Sequence, residues 1–252
     1  MVNKTDIHNF LKELGIKDSD TVLIHTSMRA IGEVENGCDG VIDAFTSYLT
    51  NGLLVIPTHT WANVGASNPV FDVRSTIPCI GALPTVAAFR KDGVRSLHPT
   101  HSVAVFGKRA KQFVSGEENA LTPCPMGGVW SRLYDENAKI LLLGVNLNSN
   151  TYMHAVDERY DVKQRYGKPV YLDNPIELTV IDYDGNSSVR QFKKHGWNGS
   201  REFEVYTQAF EQAGILTYSK LGNAKVFVMN AKESTPVMAE IFKSYEENLK
   251  NA

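Results

Sequence analysis

Cysteine is scarce and scattered: Cys38, Cys79 and Cys124 are an odd set, and no CxxC pairs them. A disulfide scaffold and a cysteine-rich zinc site both lose their basis, and a reducing cytoplasm is the expected compartment. An excess of one charge is also lacking. Lys and Arg number 26 against 28 Asp and Glu, a net charge of -2, so nothing draws a polyanion and nucleic acid is not an expected partner. The longest apolar runs, Leu53 to Pro57 and Ile140 to Val145, fall far short of a membrane span. The opening MVNKTDIHNFLKEL carries charge every few residues and has no apolar signal core. Repeats and linker-like shifts are absent too. What remains is a chain of 252 residues, 42% hydrophobic, able to bury a core without staples and read as one α/β domain over 1–252.

The hydrophobic pattern gives the order of elements. Thr21 to His25 (TVLIH) and Leu53 to Pro57 (LLVIP) are short β-rich runs that read as buried strands. Between them Val41, Ile42, Ala44, Phe45, Tyr48 and Leu49 recur at helical spacing, and Asn51-Gly52 stops that helix. This is the layout of a right-handed βαβ unit. Val103 to Phe106 and Lys139 to Leu143 read as further buried strands, and a helix starts near Leu83-Pro84 and runs to Phe89. After Tyr171 the texture changes. Ile176 to Asp182 and Ser188 to Phe192 alternate around the turn Tyr183-Asp184-Gly185-Asn186, the signature of an antiparallel hairpin, with the insertion spanning about 171–200. Glu204 to Ala213 reads as a helix, Ala224 to Met229 as a strand, and Thr235 to Leu249 as an amphipathic helix with Pro236 in its first turn. The expected fold is therefore α/β, a mainly parallel central sheet flanked by helices, with an antiparallel hairpin added in the C-terminal third.

Four segments carry side chains able to do chemistry. His25 to Gly32 (HTSMRAIG) follows a strand directly, where open α/β sheets bind ligands, and Thr26 and Ser27 offer hydroxyls and backbone N–H groups there. The plainer alternative is an ordinary polar loop. The second, Thr58-His59-Thr60-Trp61, also ends a strand; its threonines and imidazole can face a cleft that Trp61 walls, or Trp61 can belong to the core. The third, Arg95 to Ser102 (RSLHPTHS), holds His98 and His101 three apart. In an extended or turn segment that spacing does not align two imidazoles on a metal, and no acid stands nearer before it than Asp92, so histidines held by hydrogen bonds or beside a ligand fit better than zinc.

The fourth segment is the most informative. After the strand ending at Gly144 a polar loop leads to Asn150 or Thr151 as a helix cap, which puts His154 in the first turn with Asp157 at i+3 and Glu158 at i+4. A carboxylate on one ring nitrogen makes the other a better base. No G-x-S-x-G elbow, no cysteine nucleophile signature, no G-x-G-x-x-G and no P-loop occurs. A base without a covalent nucleophile implies attack by an external one.

Taken in order, HTSMRAIG, LVIPTHTW, RSLHPTHSVAVFG and LLLGVNLNSNTYMHAVDE resemble the aminoglycoside 3-N-acetyltransferase family, as do PMGGVWSRL at Pro125 to Leu133 and the later G…GNA stretch ending at Ala224. The resemblance spans about Leu23 to Ala231. It implies an α/β fold unlike the GNAT acetyltransferases, with acetyl-CoA as donor, an amine as acceptor and no metal. By resemblance, His25, Thr26, Ser27, Met28, Arg29, Ile31 and Gly32 help hold the CoA pantetheine and pyrophosphate, and Ser96, His98, Pro99 and Ser102 run beside the same arm. His154 matches the family's active-site histidine. The family pattern N-T-x-x-H-x-x-E has Asp157 at its acidic position here, with Glu158 one residue later, so either carboxylate is a candidate support.

The amine must lose its proton to His154 before it attacks the thioester, and Thr58, Thr60 or Ser102 are oxyanion donors by location. Thr58, Thr60 and Trp61 are assigned to the acceptor, an aminoglycoside or amino sugar. His195 to Asn198 and the hairpin are expected to shape its pocket, with Glu202 and Glu204 as a second acid. A metal-dependent hydrolase built on His59, His98 and His101, or a CoA- or sugar-binding module without turnover, are the alternatives. The oligomeric state stays open, a homodimer included.

Overall fold

Alternation along three strands sets the layers. The computed structural model describes residues 1–165, 168–196 and 199–251. In it β1 (Thr21–Thr26), β2 (Leu53–Pro57) and β6 (Lys139–Leu143) are buried on both faces, as parallel strands covered by helices must be. Odd and even residues serve different cores. Val22, Ile24, Leu54 and Ile56 pack against α1 (Lys4–Glu13), α3 (Gly37–Tyr48) and α4 (Ala82–Phe89) through Ile7, Phe10, Val41, Phe45 and Leu83. Leu23, Leu53, Val55 and Leu142 face the opposite layer. There α5 (Ala110–Val114), α6 (Val129–Asp135), α7 (Tyr152–Arg159), α8 (Thr207–Gln212) and α9 (Ala231–Asn251) contribute Phe113, Trp130, Met153, Phe210 and Phe242. The result is a sheet between two helical layers.

The central sheet has seven strands in the order β11-β12-β6-β1-β2-β5-β4, with β4 (Gly93–Arg95), β5 (Val103–Phe106), β11 (Thr217–Leu221) and β12 (Ala224–Asn230) toward its edges. Parallel pairing is confined to β6, β1 and β2; the other four strands add antiparallel. The expected α/β class and central sheet are therefore present, with parallel character only at the middle. The hairpin of β9 (Ile176–Ile181) and β10 (Ser187–Phe192) forms as expected, and it pairs with β3 (Val70–Asp72) rather than with the central sheet. A short ladder joins β7 (Gln164–Arg165) to β8 (Lys168–Pro169).

Two helical boundaries differ from the sequence reading. Gly199–Tyr206 is a 3-10 segment, so the α-helix there begins only at Thr207. The last helix starts at Ala231, because the Asn230 side chain accepts the Glu233 N–H and caps it; Pro236 thus stands inside the helix. α2 (Met28–Ile31) is one turn, capped by the Ser27 hydroxyl. It presses close to the end of β6, where Gly144 has φ 71° and an added Cβ would sit 2.3 Å from that of Ala30. Only glycine fits that approach.

Candidate active site

β1 leads to helices on one face of the sheet and its neighbour β6 leads to α7 on the other. A crevice opens between such strands at their carboxyl ends, where this kind of sheet takes ligands. A cavity of about 220 Å³ lies there. Its walls come from His25 and Thr26 ending β1, His59 and Trp61 beyond β2, Leu83 and Pro84 of α4, Asn148, Ser149 and Thr151 after β6, and His101 and His154.

Strand parity decides which side chains reach it. His25 and His59 fall on the same face as Leu23 and Val55, the face toward α6. Trp130 of that helix, fully buried, has its ring 6.3 Å from His25 and 5.4 Å from His59, and its indole N–H donates to the His101 carbonyl. His59 and His101 lie 4.8 Å apart, centroid to centroid. The His59 Nε2 also shares a 2.8 Å hydrogen bond with the Thr151 hydroxyl, fastening the β2 end to the start of α7. Thr151 therefore does not cap the helix with its side chain.

His154 stands in the first turn of α7, buried and facing the cavity, with the His195 ring 4.3 Å and the Phe203 ring 5.0 Å away. Burial pushes its pKa down to about 3, with His59 and Arg165 adding positive charge, so the imidazole is neutral at ordinary pH. Burial lowers His25 to about 3 in the same way.

The carboxylate expected on His154 is engaged elsewhere. Asp157, fully buried, pairs with the guanidinium of Arg165, itself buried and stacked on Phe242 at 4.1 Å. A buried cation is a stronger partner for a carboxylate than a neutral imidazole is. Burial nonetheless raises Asp157 to about 6, against the pull of Arg165. Glu158 accepts from the Thr122 hydroxyl and the Cys124 N–H, both at 2.6 Å, and so fixes the 120–124 loop.

Several other expected residues lie outside the cavity lining. Thr58 and Thr60 point away from the cavity, by alternation with His59 and Trp61: Thr58 bonds the Ser102 hydroxyl at 2.9 Å, and Thr60 donates to the Pro99 carbonyl at 2.6 Å. His98 has both nitrogens occupied, Nδ1 accepting from the N–H groups of Thr100 and His101 and Nε2 donating to the Thr122 carbonyl. Ser96 accepts the Val103 N–H, and Ser102 donates to the Thr58 carbonyl. Ser96, His98, Pro99 and Ser102 thus brace the cavity from behind instead of lining it. Of the loop 25–32, His25 and Thr26 line it, whereas Ser27 caps α2, Met28 and Ile31 pack in the core, Arg29 is exposed and Gly32 lies against Asn223.

Glu202 and Glu204 are not among the lining residues; Glu204 touches the site through its backbone N–H, which donates to Asn148. Trp197 and Asn198 lie outside the described residues. Sequence reasoning missed Arg95, fully buried behind the cavity. Its guanidinium donates to the carbonyls of Thr58 and Thr76 and to the Ser102 hydroxyl, and it lies 5.0 Å from the Phe71 ring. Among the described residues no three His, Cys, Asp or Glu side chains are grouped to hold a metal ion.

Known proteins are similar to this chain in sequence and in fold. The sequence model of the aminoglycoside 3-N-acetyltransferase family matches residues 23–243. The chain belongs to that family. The expected enzyme class, N-acetyltransferase, is the class of that family. Among curated relatives, the SPbeta prophage-derived aminoglycoside N(3')-acetyltransferase-like protein YokD of Bacillus subtilis (strain 168) is 26% identical, over 92% of this chain and 89% of its own. Two solved structures share the fold. AAC-IIIb in binary complex with CoASH superposes with a TM-score of 0.80 at 19% identity, covering 96% of this chain and 97% of its own. AAC-VIa bound to sisomicin gives 0.78 at 19%, covering 96% and 98%. Among the described residues no helix is long and apolar enough to cross a membrane.

Proposed function

We propose that the cavity is where an acetyl group passes from acetyl-CoA to an amino group of an aminoglycoside or amino sugar, with His154 as general base. The observation that carries this reading is the place of His154: a neutral imidazole in the first turn of α7, facing a cavity at the carboxyl ends of β1, β2 and β6. Family membership supplies the reaction class, and the CoASH complex of AAC-IIIb supports the donor.

The steps follow from the groups present. The acceptor enters as an ammonium, and His154 takes its proton directly or through water. The freed lone pair attacks the thioester carbonyl carbon and forms the C–N bond, giving a tetrahedral oxyanion. The C–S bond then breaks, the imidazolium returns its proton to the CoA thiolate, and the acetylated nitrogen gives up its remaining extra proton to His154 or to water, so one proton is released overall. Thr58, Thr60 and Ser102 face away, so the oxyanion is assigned to groups on the cavity wall. Among the described residues the Thr26 hydroxyl and the His25 Nε2 have no hydrogen-bond partner, and both residues line that wall. Asp157 acts one layer back: it offsets the charge of Arg165, which otherwise makes protonation of His154 harder.

The test is release of free thiol from acetyl-CoA by the purified protein with a panel of aminoglycosides and amino sugars. His154→Ala is expected to lower turnover by roughly 10²–10⁴-fold with CoA binding nearly intact. Normal turnover in that variant, or loss of CoA affinity as the sole effect, overturns the assignment.

A further inference from the structure

The loops that wall the cavity hold no acid at all. Residues 25–32, 58–69, 77–84 and 144–151 contain neither Asp nor Glu, in a chain with 28 of them among 252 residues. Beyond those loops the lining consists of strand residues, His101 and His154, so no carboxylate lines the cavity among the described residues. The two acids next to His154 are bound away from it, Asp157 by Arg165 and Glu158 by Thr122 and Cys124.

The charge that is present is positive. Arg95 lies buried behind His59 with carbonyls and a hydroxyl as its hydrogen-bond partners, and no carboxylate forms an ion pair with it among the described residues. Arg29 is exposed on the loop after β1. The Lys194 Nζ sits 3.2 Å from where a Cβ on Gly65 would be, over the 58–69 loop.

We propose that this site takes an acceptor with a single amino group and no further cation, of the amino-sugar type, and turns away polycationic aminoglycosides. The proposal rests on the acetyl-transfer reading above and narrows its acceptor. The reacting amine has to give up its proton and so needs no counter-ion. Every additional ammonium loses water on entry and meets neutral imidazoles, with a buried guanidinium behind them, and an unpaired charge in such a place costs several kcal/mol. Hydroxyls suit the wall better. The His59 Nδ1 has no hydrogen-bond partner among the described residues and can exchange a hydrogen bond with a sugar hydroxyl, as can the Asn148 and Ser149 side chains that line the wall. Trp61, 55% exposed, offers the flat apolar face of its ring. The cavity of about 220 Å³ is smaller than the ~300–1,000 Å³ usual for drug-sized ligands, which suits one ring better than three.

The experiment uses the full-length protein saturated with CoA and titrated calorimetrically with D-glucosamine, glucosamine 6-phosphate and sisomicin, alongside thiol release from acetyl-CoA with the same three compounds. The single-amine sugars are expected to bind, and to turn over with kcat/KM on the order of 100-fold above sisomicin. Sisomicin binding as tightly as the sugars, or no binding by any of the three, overturns the proposal. Sugar-selective binding with no thiol released upholds the acceptor preference and sinks the transfer reading instead. Ser149→Asp supplies the missing carboxylate on the cavity wall and is expected to tighten sisomicin binding about tenfold. No gain in that variant overturns the electrostatic argument.

Discussion

His59 and Thr151 share a 2.8 Å hydrogen bond from Nε2 to Oγ1 that closes the cavity between the end of β2 and the start of α7. The two residues are 92 apart in the chain, and Thr151 stands three residues before His154. The bond also fixes the imidazole ring, whose Nδ1 has no hydrogen-bond partner among the described residues and remains for a ligand.

Thr151→Val keeps the shape of that side chain and removes its hydroxyl. The expected outcome is a kcat lower by about tenfold, the scale of one buried hydrogen bond, with the KM for acetyl-CoA little changed. Thr151→Ser should restore most of the rate. Steady-state kinetics with thiol detection makes the comparison, and an unaltered kcat in the valine variant removes the positioning role of this pair.

Acid should destabilise the fold early. His25 and His154 titrate at about 3 and His98 at about 4 in the folded state, each mainly through burial, and His59 is lowered in the same direction. The unfolded chain, with histidines near 6.5, therefore binds more protons as pH falls below that value, and stability drops with it. Two buried carboxyls oppose this. Glu117, which caps α6 through the Val129 N–H, is raised to about 7, and Asp157 to about 6, so the folded state holds their protons longer. His101 and His195 are lowered in the same direction and Glu158 is raised, so six groups stand against three, a net loss of roughly 4 kcal/mol per pH unit at its steepest. Melting curves should show Tm falling on the order of 10 °C between pH 7 and pH 5. A flat or rising Tm over that interval contradicts the burial of these imidazoles.

The parts of this molecule that could be read from sequence are those where period and position coincide. TVLIH, LLVIP and KILLL form strands because each is a short β-branched or leucine run with nowhere to go but between two layers of helices, and His154 follows from a strand end, a polar loop and a helix start. Thr58 and Thr60 were harder. Their loop was legible as a ligand-facing segment, yet only the parity set by Val55 and Pro57 puts His59 and Trp61 toward the cavity and the threonines behind it. The partner of Asp157 could not be inferred from helical spacing at all. Helical i+3 geometry does bring a carboxylate near an imidazole, but Arg165 arrives from a bridge after the helix has ended. β11 escaped notice because TYSKL, an edge strand open to solvent, lacks the apolar character of its neighbours.

The Asp157–Arg165 pair offers a double-mutant test of why the acid at i+3 is there. Both side chains are essentially inaccessible, so removing one leaves a buried charge without its complement. Asp157→Asn and Arg165→Met are each expected to cost about 3–5 kcal/mol in urea denaturation, and the double variant clearly less than their sum. The two single variants should differ in activity. With Arg165 uncompensated, His154 becomes harder to protonate and turnover falls; with Arg165 gone, that obstacle disappears. Additive stabilities would mean the pair is not coupled.

His98 supplies the last case, because its ring does work that the motif R-S-L-H-P-T-H-S does not advertise. Nδ1 accepts from the N–H groups of Thr100 and His101 at 3.2 and 2.9 Å, and Nε2–H donates to the Thr122 carbonyl at 2.9 Å. These three bonds fix the tautomer and tie the loop that carries His101 to the loop that Glu158 also holds. His98→Ala would strand two N–H groups and one carbonyl in the interior, each worth about 1–3 kcal/mol, so a loss of several kcal/mol is expected. His98→Asn keeps an acceptor for Nδ1's donors and should recover part of it. Because the ring does not line the cavity, the folded fraction of the asparagine variant should bind CoA with affinity close to that of the parent. A selective fall in CoA affinity at unchanged Tm would place His98 against the donor arm, as the family resemblance implied, and would mean that the loop opens toward the ligand when CoA is present.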